Sequence, residues 1–220
     1  MPASFPEPTR IIAIRHGETA WNVNTRIQGQ LDIGLNETGR WQAHRVALAL
    51  ALAGEPIAAL YSSDLLRAWD TALSISNATG LAVQTVEGLR ERSFGMFEGK
   101  TFHEIEAQWP DQALRWRQRE PAFEPGGGES LLRFRERITL TVQTLAAQHP
   151  GEQILMVAHG GVMDVLYRAA TRQEIQARRT WDLGNATINR LLWTPEGLSL
   201  VGWADKQHLA DDGPRDESTA

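Results

Sequence analysis

Ile11-Ile12-Ala13-Ile14-Arg15-His16-Gly17 is a short apolar run, rich in β-branched residues, that ends in an arginine, a histidine and a glycine turn. An apolar run of that length without polar alternation is the pattern of a strand buried on both faces, as in a parallel sheet. The pattern recurs at Ile154-Leu155-Met156-Val157-Ala158, which leads straight into His159-Gly160-Gly161. Residues 57–61 and, more weakly, 82–86 supply two further strands. Helices alternate with them. Asn36 caps one that runs to about Ala53, with Trp41, Val46, Leu48 and Leu50 as its apolar contacts and Gly54 and Pro56 as its stop. A second spans about Leu65 to Ala78 and ends at Gly80. A third spans Glu129 to Gln148, with Leu132, Ile138, Val142 and Leu145 near helical spacing, and a fourth follows Gly161 to about Ala170. Residues 187–193 and 198–203 alternate about Pro195-Glu196-Gly197 as a closing hairpin. Strands separated by helices predict an α/β fold, a three-layer sandwich with a mainly parallel central sheet.

The 220 residues carry 22 Lys and Arg against 27 Asp and Glu, a formal net charge of -5. Nothing in that balance invites nucleic acid, so any bound anion must be held by a local cluster of positive groups. Cysteine is absent, which excludes a disulfide scaffold, a thiolate metal site and a Cys nucleophile, and fits a reducing cytoplasm. Met1 to Thr9 holds three prolines and does not read as a signal peptide. No stretch approaches the roughly 18 apolar residues of a membrane span. The expectation is a soluble cytoplasmic protein with one catalytic domain over residues 1–209 and a disordered acidic tail over 210–220; oligomeric state is unread.

Ligands of parallel sheets sit at the carboxyl ends of strands. Three polar constellations fall there: Arg15-His16-Gly17, Ser62 to Arg67, and His159-Gly160-Gly161. Arg15 can grip phosphate oxygens with a fork that lysine lacks. A neutral His16 offers a nitrogen nucleophile, and Gly17 lets backbone approach a ligand. A lone Arg-His-Gly triplet is nonetheless common at strand ends.

The longer string Arg15-His16-Gly17-Glu18-Thr19-Ala20-Trp21-Asn22 closely resembles the signature of the histidine phosphatase superfamily, the phosphoglycerate-mutase-like group. The resemblance continues in order through Ser62-Ser63-Asp64-Leu65-Leu66-Arg67-Ala68, Leu89-Arg90-Glu91-Arg92-Ser93-Phe94-Gly95 with Glu98-Gly99, Gly128-Glu129-Ser130 with Arg135, and His159-Gly160-Gly161. It implies that His16 attacks phosphorus and carries the phosphoryl group, while Arg15, Arg67 and His159 stabilise charge on its equatorial oxygens. It gives Glu91 the role of general acid and then base, which a carboxyl performs near neutral pH only where its surroundings favour the protonated form. Asn22, Gln28, Gly29 and Gly160 are the lesser phosphate contacts. The implied substrate is a small phosphorylated metabolite. No metal site is expected, and no cofactor unless the chain is a mutase primed by 2,3-bisphosphoglycerate. Plainer readings stand beside these: Arg67 paired with Asp64 or Asp70, Glu91 as a solvated carboxylate with Glu87 or Glu98 as substitutes, and Asn22 and Gln28 as structural groups.

Other patterns carry no chemistry. Gly95 to Thr101 is one residue short of a phosphate-binding loop, with Phe94 at its first glycine position. His103-Glu104 meets Ala107 where a zinc-protease helix needs a second histidine. The resemblance divides between hydrolases and mutases, and several positions depart from the mutase pattern. Phe94 replaces a tyrosine, Phe102 a lysine, and Gly161 an asparagine, and the cover between Arg119 and Glu129 is short. A mutase must hold its acceptor and exclude water, so these departures favour hydrolysis. A mutase and a catalytically silent phosphate-binding protein are the alternatives. The Ser93–Gly128 region, with one or two short helices, is expected to shape selectivity through Phe94, Phe97, Phe102, Trp109 and Trp116.

Overall fold

The computed structural model describes residues 7–210, and the expectations for the first six residues and for 211–220 lie outside them. The run around Ile11–Ile14 becomes β1 (Thr9–Arg15), followed by a single helical turn, α1 (Ala20–Val23), and the long α2 (Glu37–Ala53). Next come β2 (Ala59–Ser62), α3 (Leu66–Thr79) and the short β3 (Val83–Thr85). Two small helices, α4 (Phe102–Gln108) and α5 (Pro110–Arg117), precede α6 (Leu131–Ala146). β4 (Gln153–Ala158), α7 (Gly160–Thr171), β5 (Ile188–Thr194) and β6 (Gly197–Asp205) complete the order. The six strands form one sheet in the order β3-β2-β4-β1-β5-β6. The first four of that order are parallel, and the β5–β6 hairpin is antiparallel to β1 and to itself.

The pleat explains why β1 and β4 lack polar alternation. Ile11, Ala13, Ile154 and Met156 face one layer, where Phe134 and Ile138 of α6 and Val162 of α7 pack. Ile12, Ile14, Leu155 and Val157 face the other, against Val46 and Leu50 of α2 and Ala72 and Ile75 of α3. Both faces are covered, so an apolar residue is favoured at every position. Each fully buried large side chain stabilises the sandwich by about 1.5–3 kcal/mol.

Helix ends follow the expected chemistry. The Asn36 side chain accepts from Gly39 N at 2.7 Å, and Gly54 closes α2 in the left-handed region at φ 62°. Ser130 caps α6 through Arg133 N at 3.2 Å. Within the helices some contacts differ from expectation. Leu48 and Leu132 are exposed, because the 3.6-residue period puts Ala43, Val46, Ala47 and Leu50 on the buried stripe of α2, and Leu131, Phe134 and Ile138 on that of α6. β2 starts two residues later and ends one residue later than expected, since its extent is set by pairing with β4 from Ala59↔Ile154 to Ser62↔Val157.

The 93–128 segment builds a satellite core of its own. Phe97, Ile105, Ala113 and Phe123 are buried together, and Phe102, Trp109 and Trp116 pack against them. The expectation that all five aromatics wall a ligand cavity is therefore corrected for Phe97, Phe102 and Trp109, whose rings hold this subcore. Register completes the preparation of the site. Arg15 pairs with Ala158 and Ser62 with Val157, so His16, His159 and Ser63 emerge together from one sheet edge. Among the described residues no helix is long and apolar enough to cross a membrane.

Candidate active site

His16 sits one residue beyond β1, almost wholly buried. Its Nδ1 lies 2.6 Å from the carbonyl of Gly17. A carbonyl only accepts, so Nδ1 carries the proton and Nε2 keeps its lone pair. Burial, and next the Arg67 and Arg15 charges, hold the imidazole well below the usual histidine range, against a smaller opposing effect of the Gly17 carbonyl. The ring is neutral at physiological pH. Gly17 is required by packing: a Cβ there would lie 2.4 Å from the carbonyl oxygen of Gly39 in α2.

Arg67, on the first turn of α3, is 1% exposed. Its Nη1 donates to Leu31 O at 2.9 Å and its Nη2 to Gly29 O at 2.7 Å, leaving Nε without a partner. Pairing with Asp64 or Asp70 is not what holds it; Asp64 pairs with Arg90 instead. Burial lowers the Arg67 guanidinium to about 10, which leaves it charged at neutral pH. Arg15 anchors Nη1 on Leu183 O, and its buried Nε is also unpartnered. His159 caps the start of α7 with its ring centroid 5.3 Å from that of His16. Its Nε2 meets Ser63 Oγ at 2.8 Å, and its buried Nδ1 has no partner.

Glu91 comes from the loop between β3 and α4. Its carboxylate accepts from Arg92 N at 2.7 Å and from Gly161 N at 2.8 Å. A Cβ on Gly161 would lie 2.1 Å from Glu91 Oε1. The glycine that departs from the mutase pattern is thus the residue that lets this carboxylate occupy its place. Neither Glu87 nor Glu98 substitutes for it: Glu87 pairs with Arg90, and Glu98 accepts from Gln30 N and Phe94 N.

All of the expected residues except His159 line one small cavity of about 210 Å³: Arg15, His16, Arg67 and Glu91 with Asn22, Gln28, Gly29 and Gly160. Asn22 Oδ1 accepts from Thr19 N at 3.0 Å, closing a capping box that aims the side chain from α1. Gln28 keeps one buried amide atom unpartnered, and Gly29 offers its carbonyl to Arg67. Unpaired buried polar atoms are rare in folded proteins. Here Nε of Arg15, Nε of Arg67 and Nδ1 of His159 are left without partners beside the His16 ring. That arrangement suits a tetrahedral or trigonal oxyanion.

A sequence profile of the histidine phosphatase superfamily (branch 1) matches residues 11–206. The chain belongs to the histidine phosphatase superfamily. It is 38% identical to phosphoglycerate mutase-like protein 4 of Arabidopsis thaliana, covering 92% of this chain and 88% of the relative. It is 36% identical to a metal-independent phosphoserine phosphatase of the same plant, over 94% of this chain and 86% of that one. The solved structure of a mycobacterial glucosyl-3-phosphoglycerate phosphatase superposes with a TM-score of 0.77 at 32% identity, covering 91% of this chain and all of the other.

Several groups in this histidine phosphatase escaped sequence reasoning. Arg135, matched to the family's helix, is exposed; the arginine at work is Arg137, one turn-face away. Arg137 makes a bidentate pair with Glu129 at 2.7 and 2.8 Å and donates to the carbonyls of Gly88, Arg90 and Glu91, pinning the loop that carries the carboxylate. Ser63 lay inside a quoted motif, yet its contact with His159 spans 96 residues. Asn185 donates to His16 O at 2.9 Å from a loop with no motif at all. A second, larger cavity of about 520 Å³ adjoins the first and shares Arg15, Glu91, Phe94 and Gly160 with it; Trp116, Arg119, Asp164 and Arg179 stand on its walls. Among the described residues no cluster of three or more His, Asp or Glu could hold a metal ion.

Proposed function

We propose that His16 Nε2 is the nucleophile of a two-step phosphoryl transfer in which Glu91 supplies and then recovers a proton. The protein is a histidine phosphatase-type phosphomonoesterase acting on a small phosphorylated metabolite. In the first step the Nε2 lone pair forms a bond to phosphorus as the ester P–O bond breaks, and the Glu91 carboxyl proton passes to the departing oxygen. In the second, water attacks the phosphohistidine, Glu91 takes the water proton, and the P–N bond breaks to return the neutral imidazole and free phosphate. Arg15, Arg67 and His159 donate to the equatorial oxygens throughout, with Asn22, Gln28, Gly29 and Gly160 as lesser contacts. The observation that carries this reading is the set of three unpartnered buried nitrogens, on Arg15, Arg67 and His159, beside a histidine whose tautomer leaves Nε2 free. Donors already in place cost no reorganisation when charge develops on phosphorus-bound oxygen.

Water rather than a bound glycerate is the acceptor in this reading. The positions that would anchor an acceptor are Phe94, Phe102 and Gly161, none with a polar side chain. The relatives named for phosphoserine and glucosyl-3-phosphoglycerate support a substrate among phosphorylated small acids. A cytoplasmic setting belongs to the same proposal and is supported by the cysteine-free composition. Turnover of p-nitrophenyl phosphate in the presence of a chelator tests the assignment. The parent protein should hydrolyse it and His16→Ala should not; an active His16→Ala variant would overturn it.

A further inference from the structure

The 520 Å³ cavity meets the smaller one at Glu91 and Arg15 and does not include His16, so a leaving group protonated by Glu91 would reside there. By water's share of liquid volume, about 30 Å³, it has room for about 17 water-sized groups, more than a three-carbon acid fills. Its charges are unevenly matched. Asp164, 7% exposed, accepts from Arg119 Nη2 at 3.0 Å and from Arg168 Nε at 2.9 Å, both on Oδ2. One carboxylate oxygen therefore answers two guanidinium groups, while Asp164 Oδ1 is buried without a partner and Glu91 and Asp182 supply the other acidic groups of the lining. Arg179 adds a third positive charge and makes no hydrogen bond or ion pair among the described residues. Arg179 also lies close enough to Arg15 and Arg119 to disfavour the charge on each, although burial is the larger cause in both.

Arg119 is held in place by more than its ion pair. It follows the C-cap of α5 with φ 53°, in the left-handed region that non-glycine residues rarely adopt. Its Nε donates to Ile175 O at 3.0 Å, while Nη1 has no partner among the described residues. The segment that carries Arg179 is tethered in turn, with Arg168 donating to the carbonyls of Glu174 and Ala177. A fixed guanidinium with a free edge and an unpaired arginine beside it form one wall of the cavity suited to an anion.

Resting on the phosphatase reading above, we propose that Arg119 and Arg179 are specificity-determining residues. They receive a carboxylate or other anion borne by the leaving group. 3-Phosphoglycerate carries such a carboxylate, and p-nitrophenyl phosphate, which has none, is the control.

Steady-state kcat/KM on both esters, for the parent and for Arg179→Gln, tests the proposal. The substitution should lower the ratio of 3-phosphoglycerate to p-nitrophenyl phosphate turnover at least tenfold. A substitution that leaves that ratio unchanged overturns it. Calorimetric binding of 3-phosphoglycerate to His16→Ala, with and without Arg179→Gln, reads the subsite even without turnover. Equal affinities there contradict the proposal, while failure of the parent on p-nitrophenyl phosphate contradicts only the phosphatase reading.

Discussion

The two buried histidines at the sheet edge meet different partners. Gly17 O accepts from His16 Nδ1–H, which leaves the Nε2 lone pair free. Ser63 Oγ accepts from Leu65 N at 3.3 Å and lies 2.8 Å from His159 Nε2, while His159 Nδ1 is unpartnered. In the proposed reaction the first imidazole is the nucleophile, and the second accepts the Ser63 proton's hydrogen bond at Nε2 and donates from Nδ1 to phosphoryl oxygen. Ser63→Ala removes the group that selects the His159 tautomer. A hydrogen bond of about 1.5 kcal/mol lost in the transition state corresponds to roughly a tenfold fall in kcat. Steady-state turnover of p-nitrophenyl phosphate by the variant measures this, and an unchanged kcat would mean that Ser63 does not set the tautomer. That Arg15, His16, Arg67, Glu91 and His159 come together was legible from order and type, because each stands in a motif of the resemblance. Ser63 and Asn185 were not, since their partners are 96 and 169 positions away.

At the scale of elements the site depends on how a loop, α6 and the start of α7 meet. Arg137 of α6 donates to the carbonyls of Gly88, Arg90 and Glu91, and Gly161 of α7 gives the carboxylate both a donor and room. Gly161→Ala places a methyl group where Glu91 Oε1 now lies, so it should reduce kcat by about 10²-fold, the lower end of what general acid–base catalysis supplies. The loss should largely vanish when the same change is made in Glu91→Gln, because the two substitutions remove one interaction. Additive effects in this double-mutant cycle would show that Gly161 acts elsewhere. The strands and long helices were readable for simple reasons: β1 and β4 are apolar at every position, and Asn36, Gly54, Ser130 and Gly80 mark helix ends. The 93–128 aromatics misled because a ring that closes a subcore and a ring that lines a cavity look alike in sequence. Arg135 and Arg137 differ only in which side of α6 they occupy, and that depends on the loop they meet.

For the whole molecule, two neutral imidazoles buried against arginines make stability depend on acid. His16 and His159 are both held well below the ordinary value of 6.5, chiefly by burial and next by Arg67. The unfolded chain binds protons at these groups near pH 6.5 while the folded chain does not. Stability is therefore present above pH 6.5 and declines as pH falls from there toward the depressed folded values. Each group contributes a slope of about 1.4 kcal/mol per pH unit within that window. Urea midpoints between pH 7.5 and 5.5 should fall as acid is added, and His159→Gln should flatten the decline; a midpoint that is constant over this range contradicts the burial of neutral rings. The same neutrality is what chemistry requires of His16, so fold and mechanism draw on one property of the sheet edge. The most direct measurement is a rapid quench of turnover with phosphoryl-labelled substrate, followed by mapping of the label. An acid-labile, base-stable phosphoryl group on His16, formed and consumed at the rate of turnover, is the predicted result. Steady turnover with no label on His16, or with the label on another side chain, would contradict the account.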